Sequence, residues 1–131
     1  AKGWDFVDTS RLYLVGSSMG GATVATAAVT HSDDIRGVVL EYPAINLNPD
    51  AMVSGAPLDV NGYTGPVLIL QGAKDVIVPM EMSQNLATHY NTLRDDHAEL
   101  IIYEGQPHVF TGKYKVLAAK EIYRFLEENA S

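Results

Sequence analysis

The 131-residue chain contains no cysteine, so disulfide frameworks, thiolate metal sites and cysteine nucleophiles are all excluded, and the redox compartment goes unmarked. Basic residues are scarce: nine stand against sixteen acidic ones, for a formal net charge of −7. A surface of that sign repels phosphate backbones and anionic lipid, which makes nucleic acid and membranes poor partners. Long apolar runs are also missing, none approaching the roughly 20 residues that span a bilayer. The opening AKGWDF has neither a methionine nor the basic-then-apolar order of a signal peptide. What remains is the composition expected of a soluble globular protein, with a length that fits one domain over residues 1–131.

Short apolar runs recur at intervals: RLYLVG from Arg11, GVVLEYP from Gly37, GPVLILQG from Gly65 and AELIIYEG from Ala98. Each is rich in β-branched residues or leucine and closes on Gly or Pro, which predicts buried strands. Between them the spacing is helical. After Pro79, Met82, Leu86, Tyr90 and Leu93 recur at i, i+4, i+8 and i+11; after Lys113, Ala118, Ile122, Phe125 and Leu126 form a second stripe. This alternation predicts an α/β fold, a parallel sheet of about four strands with flanking helices. One long irregular piece, Pro43 to Pro66, is thick with Pro, Asn, Gly and Asp, and loops of that length in compact domains are usually functional.

Gly16, Ser18 and Gly20 match G-x-S-x-G. The pentapeptide alone would arise by chance in roughly a few per cent of chains this long, so its context carries the weight. RLYLV before it reads as a strand and ATVATAAV after it as a helix, the setting in which a serine projects from a sharp, strained turn. Glycines on both flanks are expected because side chains would not fit. The helix would aim its free N–H groups at a developing oxyanion, with the Met19 N–H as first donor. A serine hydroxyl needs a base and an orienting carboxylate, and both follow in order: Asp75 just past the third strand and His108 just past the fourth. In a parallel sheet all three would meet at one edge. Of the rivals, His31 reads as a helix-end residue, His89 and His97 as surface, and Asp33, Asp34, Asp95 and Asp96 as turn formers. Glu41, at the end of the second strand, is the alternative acid.

GSSMGG at Gly16 to Gly21, GAKDVIVP at Gly72 to Pro79 and GQPHVF at Gly105 to Phe110 resemble the motifs of the α/β-hydrolase family, in particular its small esterases, lipases and serine aminopeptidase-like members. The resemblance implies a catalytic triad of Ser18 as nucleophile, His108 as general base and Asp75 as its orienting acid. The family hosts many chemistries; the first reading is a carboxylesterase acting on small-molecule esters through an acyl-enzyme at Ser18 with no metal or organic cofactor, its acyl pocket lined by Ile45, Leu47 and Met52 of the long loop. A peptidase with Glu41 holding a substrate ammonium is the second reading, and a non-catalytic assembly module with a relic triad the third. The family carries further strands ahead of the serine strand, including the loop that gives a second oxyanion N–H. The chain accordingly reads as a C-terminal half-domain, expected to be a weak esterase alone and to pair its Leu12–Val15 edge in a homo-oligomer or with a complementary chain.

Overall fold

All four apolar runs form strands in the computed structural model of the chain, which describes residues 12–30, 35–46, 56–57, 63, 65–95, 97–108 and 110–129. In chain order the elements are β1 (Leu12–Ser17), α1 (Met19–Thr30), β2 (Ile35–Glu41), β3 (Ile45–Asn46), β4 (Ala56–Pro57), β5 (Val67–Gly72), α2 (Met80–Leu93), β6 (Ala98–Tyr103) and α3 (Lys113–Glu128). The main sheet has the order β1-β2-β5-β6, and every neighbouring pair is parallel. The Pro43 to Pro66 segment is not wholly irregular: β3 and β4 pair in parallel, Ile45 opposite Ala56.

Alternation along the central strands divides the apolar side chains between two cores. Val38, Leu40, Val67 and Ile69 pack with Ala25 and Ala28 of α1 and with Leu86 and Tyr90 of α2. Val39, Leu68 and Leu70 pack on the other face with Ala118 and Phe125 of α3. Because both faces are covered, all six residues of β5 are buried, which is why its sequence reads as an unbroken apolar run. Burying each Val, Leu or Ile contributes about 1.5–3 kcal/mol before the entropy of ordering it is counted. The helical stripes lie as expected, except that Leu93 at the end of α2 is exposed while Ser83 and Ala87 are buried. β1 lies at one edge of this sheet and β6 at the other, and Val15 on β1 is 49% exposed. No described helix is long and apolar enough to cross a membrane.

His97 departs from its expected surface place. It precedes β6, its carbonyl accepts from Val67 N–H at 3.1 Å, and its ring is buried against the rings of Tyr90 and Tyr63 with Nδ1 2.9 Å from the Tyr90 carbonyl. A polar residue in a turn becomes core here because the β5–β6 register draws the start of β6 under the end of α2.

Burial holds the His97 pKa below its ordinary 6.5, with the Arg94 charge adding to the effect and the Tyr90 carbonyl opposing it. The unfolded chain therefore takes up a proton near pH 6.5 while the folded ring does so only at lower pH. Stability is thus complete above that range and falls as the pH drops toward the folded value. Urea titrations from pH 8 to 5 should show this acid loss in the parent protein and a shallower one in His97→Gln. Equal slopes would assign the loss to other groups.

Candidate active site

Ser18 sits between β1 and α1 with φ of 54°, a left-handed conformation that a residue with a side chain adopts only when its surroundings compel it. Three backbone bonds do so. Ser18 N–H donates to the Glu41 carbonyl at 3.0 Å, and the Ser18 carbonyl accepts from Gly21 at 3.0 Å and Ala44 at 2.9 Å. The close approach of α1 to β1 requires Gly16, where a Cβ would lie 2.5 Å from the Gly20 carbonyl oxygen and 2.7 Å from Val24 Cγ2. Gly20 is different: nothing lies within 4 Å of a Cβ there, so only the first of the two motif glycines answers to crowding. Met19 is the first residue of α1, and the leading N–H groups of a helix have no partner within it.

His108 must come from the far edge of the sheet. The segment after β6 turns back at Gly105, where φ is 77°, and is braced by Gln106. The Gln106 carbonyl accepts from Lys74 N–H at 3.0 Å, and its side-chain oxygen accepts from Thr111 N–H at 3.2 Å. This segment lies so close over the end of β5 that a Cβ on Gly72 would collide with the carbonyl oxygens of Gln106 and Pro107, the latter at 2.7 Å. Beyond β2, Tyr42 supports the imidazole, the two ring centroids 4.8 Å apart, and meets Phe110 edge-on at 5.1 Å. Tyr42 also has positive φ, 39°, and burial pushes its phenol above the ordinary value, so it stays protonated and uncharged.

The three side chains converge. His108 Nε2 lies 2.9 Å from Ser18 Oγ and His108 Nδ1 lies 2.7 Å from Asp75 Oδ2. A carboxylate accepts, so Nδ1 carries the ring proton and Nε2 is left to accept from the Ser18 hydroxyl. The Asp75 side chain is 0% exposed and the His108 side chain 16%, a gradient from dry carboxylate to accessible ring. Asp75 Oδ1 accepts from Ile77 N–H at 2.8 Å and Val78 N–H at 2.7 Å, which offsets the cost of burying it.

Glu41, the alternative acid, is half-buried with its pKa raised by that burial, and Asp75 rather than Glu41 takes the imidazole. The Glu41 side chain instead lines a cavity of about 220 Å³ beside α3, with Tyr42, Phe110, Lys115 and Ile122. Ile45 does not line a pocket: it is 1% exposed and belongs to the core on the α1 and α2 face. Leu47, Met52, His31, Asp33, Asp34 and Asp96 lie outside the described residues. His89 is half-buried on α2 and Asp95 is exposed, both away from the strand ends that hold Ser18, Asp75 and His108. Among the described residues no group of three or more His, Asp or Glu could hold a metal ion. The motifs give Tyr42 and Gln106 no role, although Gln106 lies within GQPHVF. Their signal is positional, since each sits just past the end of a predicted strand.

A parallel sheet with helices on both faces, and a Ser–His–Asp chain of hydrogen bonds at the carboxyl ends of its strands, defines an α/β-hydrolase fold. Solved structures agree. The chain superposes on a ferulic acid complex of Est1E from Butyrivibrio proteoclasticus with a TM-score of 0.76 at 24% identity, covering 98% of this chain and 62% of that one. It matches a puromycin-hydrolyzing peptidase of Mycobacterium tuberculosis with a TM-score of 0.78 at 22% identity, over 95% and 23% of the two chains. Dipeptidyl peptidase 4 of Porphyromonas gingivalis gives 0.77 at 19% identity, over 95% and 20%. The chain thus spans less than two thirds of each of these neighbours. No curated protein matches it significantly in sequence. The family model of the dienelactone hydrolase family matches residues 3–125, and the chain belongs to that family of hydrolases.

Crowding at Gly72 generates a prediction. Gly72→Ala places a methyl against two backbone carbonyls, and such overpacking should lower stability by about 1–3 kcal/mol and displace the His108 segment. Thermal melts and the His108 ring resonances would report both, and an unshifted His108 would show that the crossing tolerates a side chain.

Proposed function

We propose that the chain acts as a serine carboxylesterase, with Ser18 as nucleophile, His108 as general base and acid, and Asp75 as the group that orients the ring. The observation that carries this reading is the continuous bond chain, 2.9 Å from Ser18 to His108 and 2.7 Å from His108 to Asp75. His108 Nε2 accepts the hydroxyl proton as Ser18 Oγ adds to the ester carbonyl. The oxyanion that forms lies near the start of α1, where the Met19 N–H and the helix dipole stabilise it. Collapse breaks the ester C–O bond, His108 gives its proton to the departing alcohol, and an acyl-enzyme remains. Water then adds with His108 again as base, the acid leaves and Ser18 is restored. The balance closes without a metal or organic cofactor.

Membership of a family named for a lactone hydrolase supports an ester rather than an amide as substrate. Exposed Met19, Val76 and Ile77, beside the reacting residues in sequence, support apolar acyl groups. The Est1E complex makes ferulate esters a natural class to try beside short-chain esters. Est1E and the peptidase neighbours alike are under 25% identical and support the fold alone, so ferulate esters enter as a substrate to test.

A fluorophosphonate probe should label the protein at Ser18. Ser18→Ala should abolish labelling and lower turnover of p-nitrophenyl acetate by about 10⁴-fold or more. Ser17→Ala should retain both. Loss of labelling in Ser17→Ala with the fold intact would name the wrong serine, hydrolysis of aminoacyl p-nitroanilides in preference to esters would favour the peptidase, and no labelling by the folded protein would favour a non-catalytic module.

A further inference from the structure

Within the apolar strand LILQG one residue breaks the pattern. Gln71 is 0% exposed on β5, and so is Ser83 on α2. Neither belongs to the G-x-S-x-G, acid or histidine motifs, yet Gln71 engages the acid directly and Ser83 engages Gln71. Gln71 Nε2 lies 3.0 Å from the Gly72 carbonyl, 3.0 Å from the Val78 carbonyl and 3.3 Å from Asp75 Oδ2. All three partners are acceptors, so the nitrogen of the amide must face them, its two hydrogens shared among the three. With the nitrogen so fixed, the amide oxygen accepts from the Ser83 hydroxyl at 2.6 Å, which anchors the far side of the amide.

We infer that Gln71 and Ser83 are positioning residues for the hydrolytic site, acting on Asp75 rather than on substrate. Asp75 Oδ2 is the oxygen that takes the His108 ring. Gln71 fixes that oxygen from behind, while Ile77 and Val78 fix Oδ1. The carboxylate is thus held at both ends with no water required. The bond from Gln71 to Val78 also ties the turn that supplies those two N–H donors back to β5, so one side chain sets both the carboxylate and its cradle. Ser83 anchors the other side of the Gln71 amide. The order of control runs from Ser83 to Gln71, to Asp75, to His108.

This inference rests on the esterase reading for its kinetics but not for its spectroscopy. Gln71→Met keeps the length and apolar bulk and removes the donors; Ser83→Ala keeps the donors and frees the amide; Ser83→Thr restores a hydroxyl. Gln71→Met should lower kcat for p-nitrophenyl acetate and the rate of fluorophosphonate labelling by about tenfold, on the scale of one hydrogen bond to a charged group, with KM within about twofold. Ser83→Ala should lose about threefold and Ser83→Thr recover it. Without any substrate, the low-field proton resonance of the His108 Nδ1–H in the parent protein should broaden in Gln71→Met and Ser83→Ala. A role confined to stability would lower the melting temperature and leave kcat per folded molecule unchanged. Either unchanged kcat or an unchanged proton resonance in folded Gln71→Met overturns the inference, and if that variant does not fold, the same two readings on Ser83→Ala decide it. Should Ser18→Ala retain labelling and turnover, the esterase reading fails and the proton resonance alone judges the role of Gln71.

Discussion

A single hydrogen bond, 2.9 Å from His108 Nε2 to Ser18 Oγ, joins the ends of the two outermost strands of the main sheet. β1 and β6 stand three interstrand gaps apart, roughly 14 Å at the usual spacing. The histidine segment has to arch back over the ends of β5 and β2 to close that span. The local oddities of the site follow from this demand. Gly72 has no side chain because the arch passes directly over it. Gln106 braces the arch from within, and Tyr42, in a left-handed conformation, sets its ring under the imidazole. Ser18 is itself left-handed, which lifts its side chain off the strand toward the arriving ring.

Charge is managed in two ways in the same molecule. Asp75 is a dry carboxylate whose oxygens are met by two backbone N–H groups, an amide and an imidazole, so its desolvation is offset bond by bond. Arg124 on α3 gathers Glu99, Glu121 and Glu128 at the surface, the bonds as short as 2.8 Å. Water screens that cluster, and such pairs contribute little to stability. Bond length therefore does not rank the two: the fully buried carboxylate is costly to leave unpartnered, whereas the surface carboxylates can return to water.

The strands were legible because a sheet covered on both faces leaves apolar, β-branched runs with Gly or Pro at their ends, and the convergence of Ser18, Asp75 and His108 followed once the strands were parallel. Other features depend on which segment packs over which, and a one-dimensional pattern does not carry that. His97 looks like a polar turn residue until the register of β6 places it under Tyr90. Ile45 looks like a loop residue available to substrate, but the end of β2 delivers it into the core. Gly16 and Gly20 look equivalent in the motif, although only Gly16 is crowded, by the first turns of the helix that carries Gly20. Gln71 was hidden in plain view, a buried amide whose partners, Asp75 and Ser83, lie four and twelve residues away in the chain.

The 90-residue separation of Ser18 and His108 bears on when the site exists at all. Closing so long a loop is entropically costly, and β6 is the strand whose pairing closes it. β1, α1 and β2 place the Ser18 turn, but its imidazole partner arrives only with the segment after β6. Peeling β6 from its edge would break the bond between His108 and Ser18 while most of the sheet stayed paired. The geometry at Ser18 is thus only as durable as the pairing of β6 with β5, an edge strand held on one side alone.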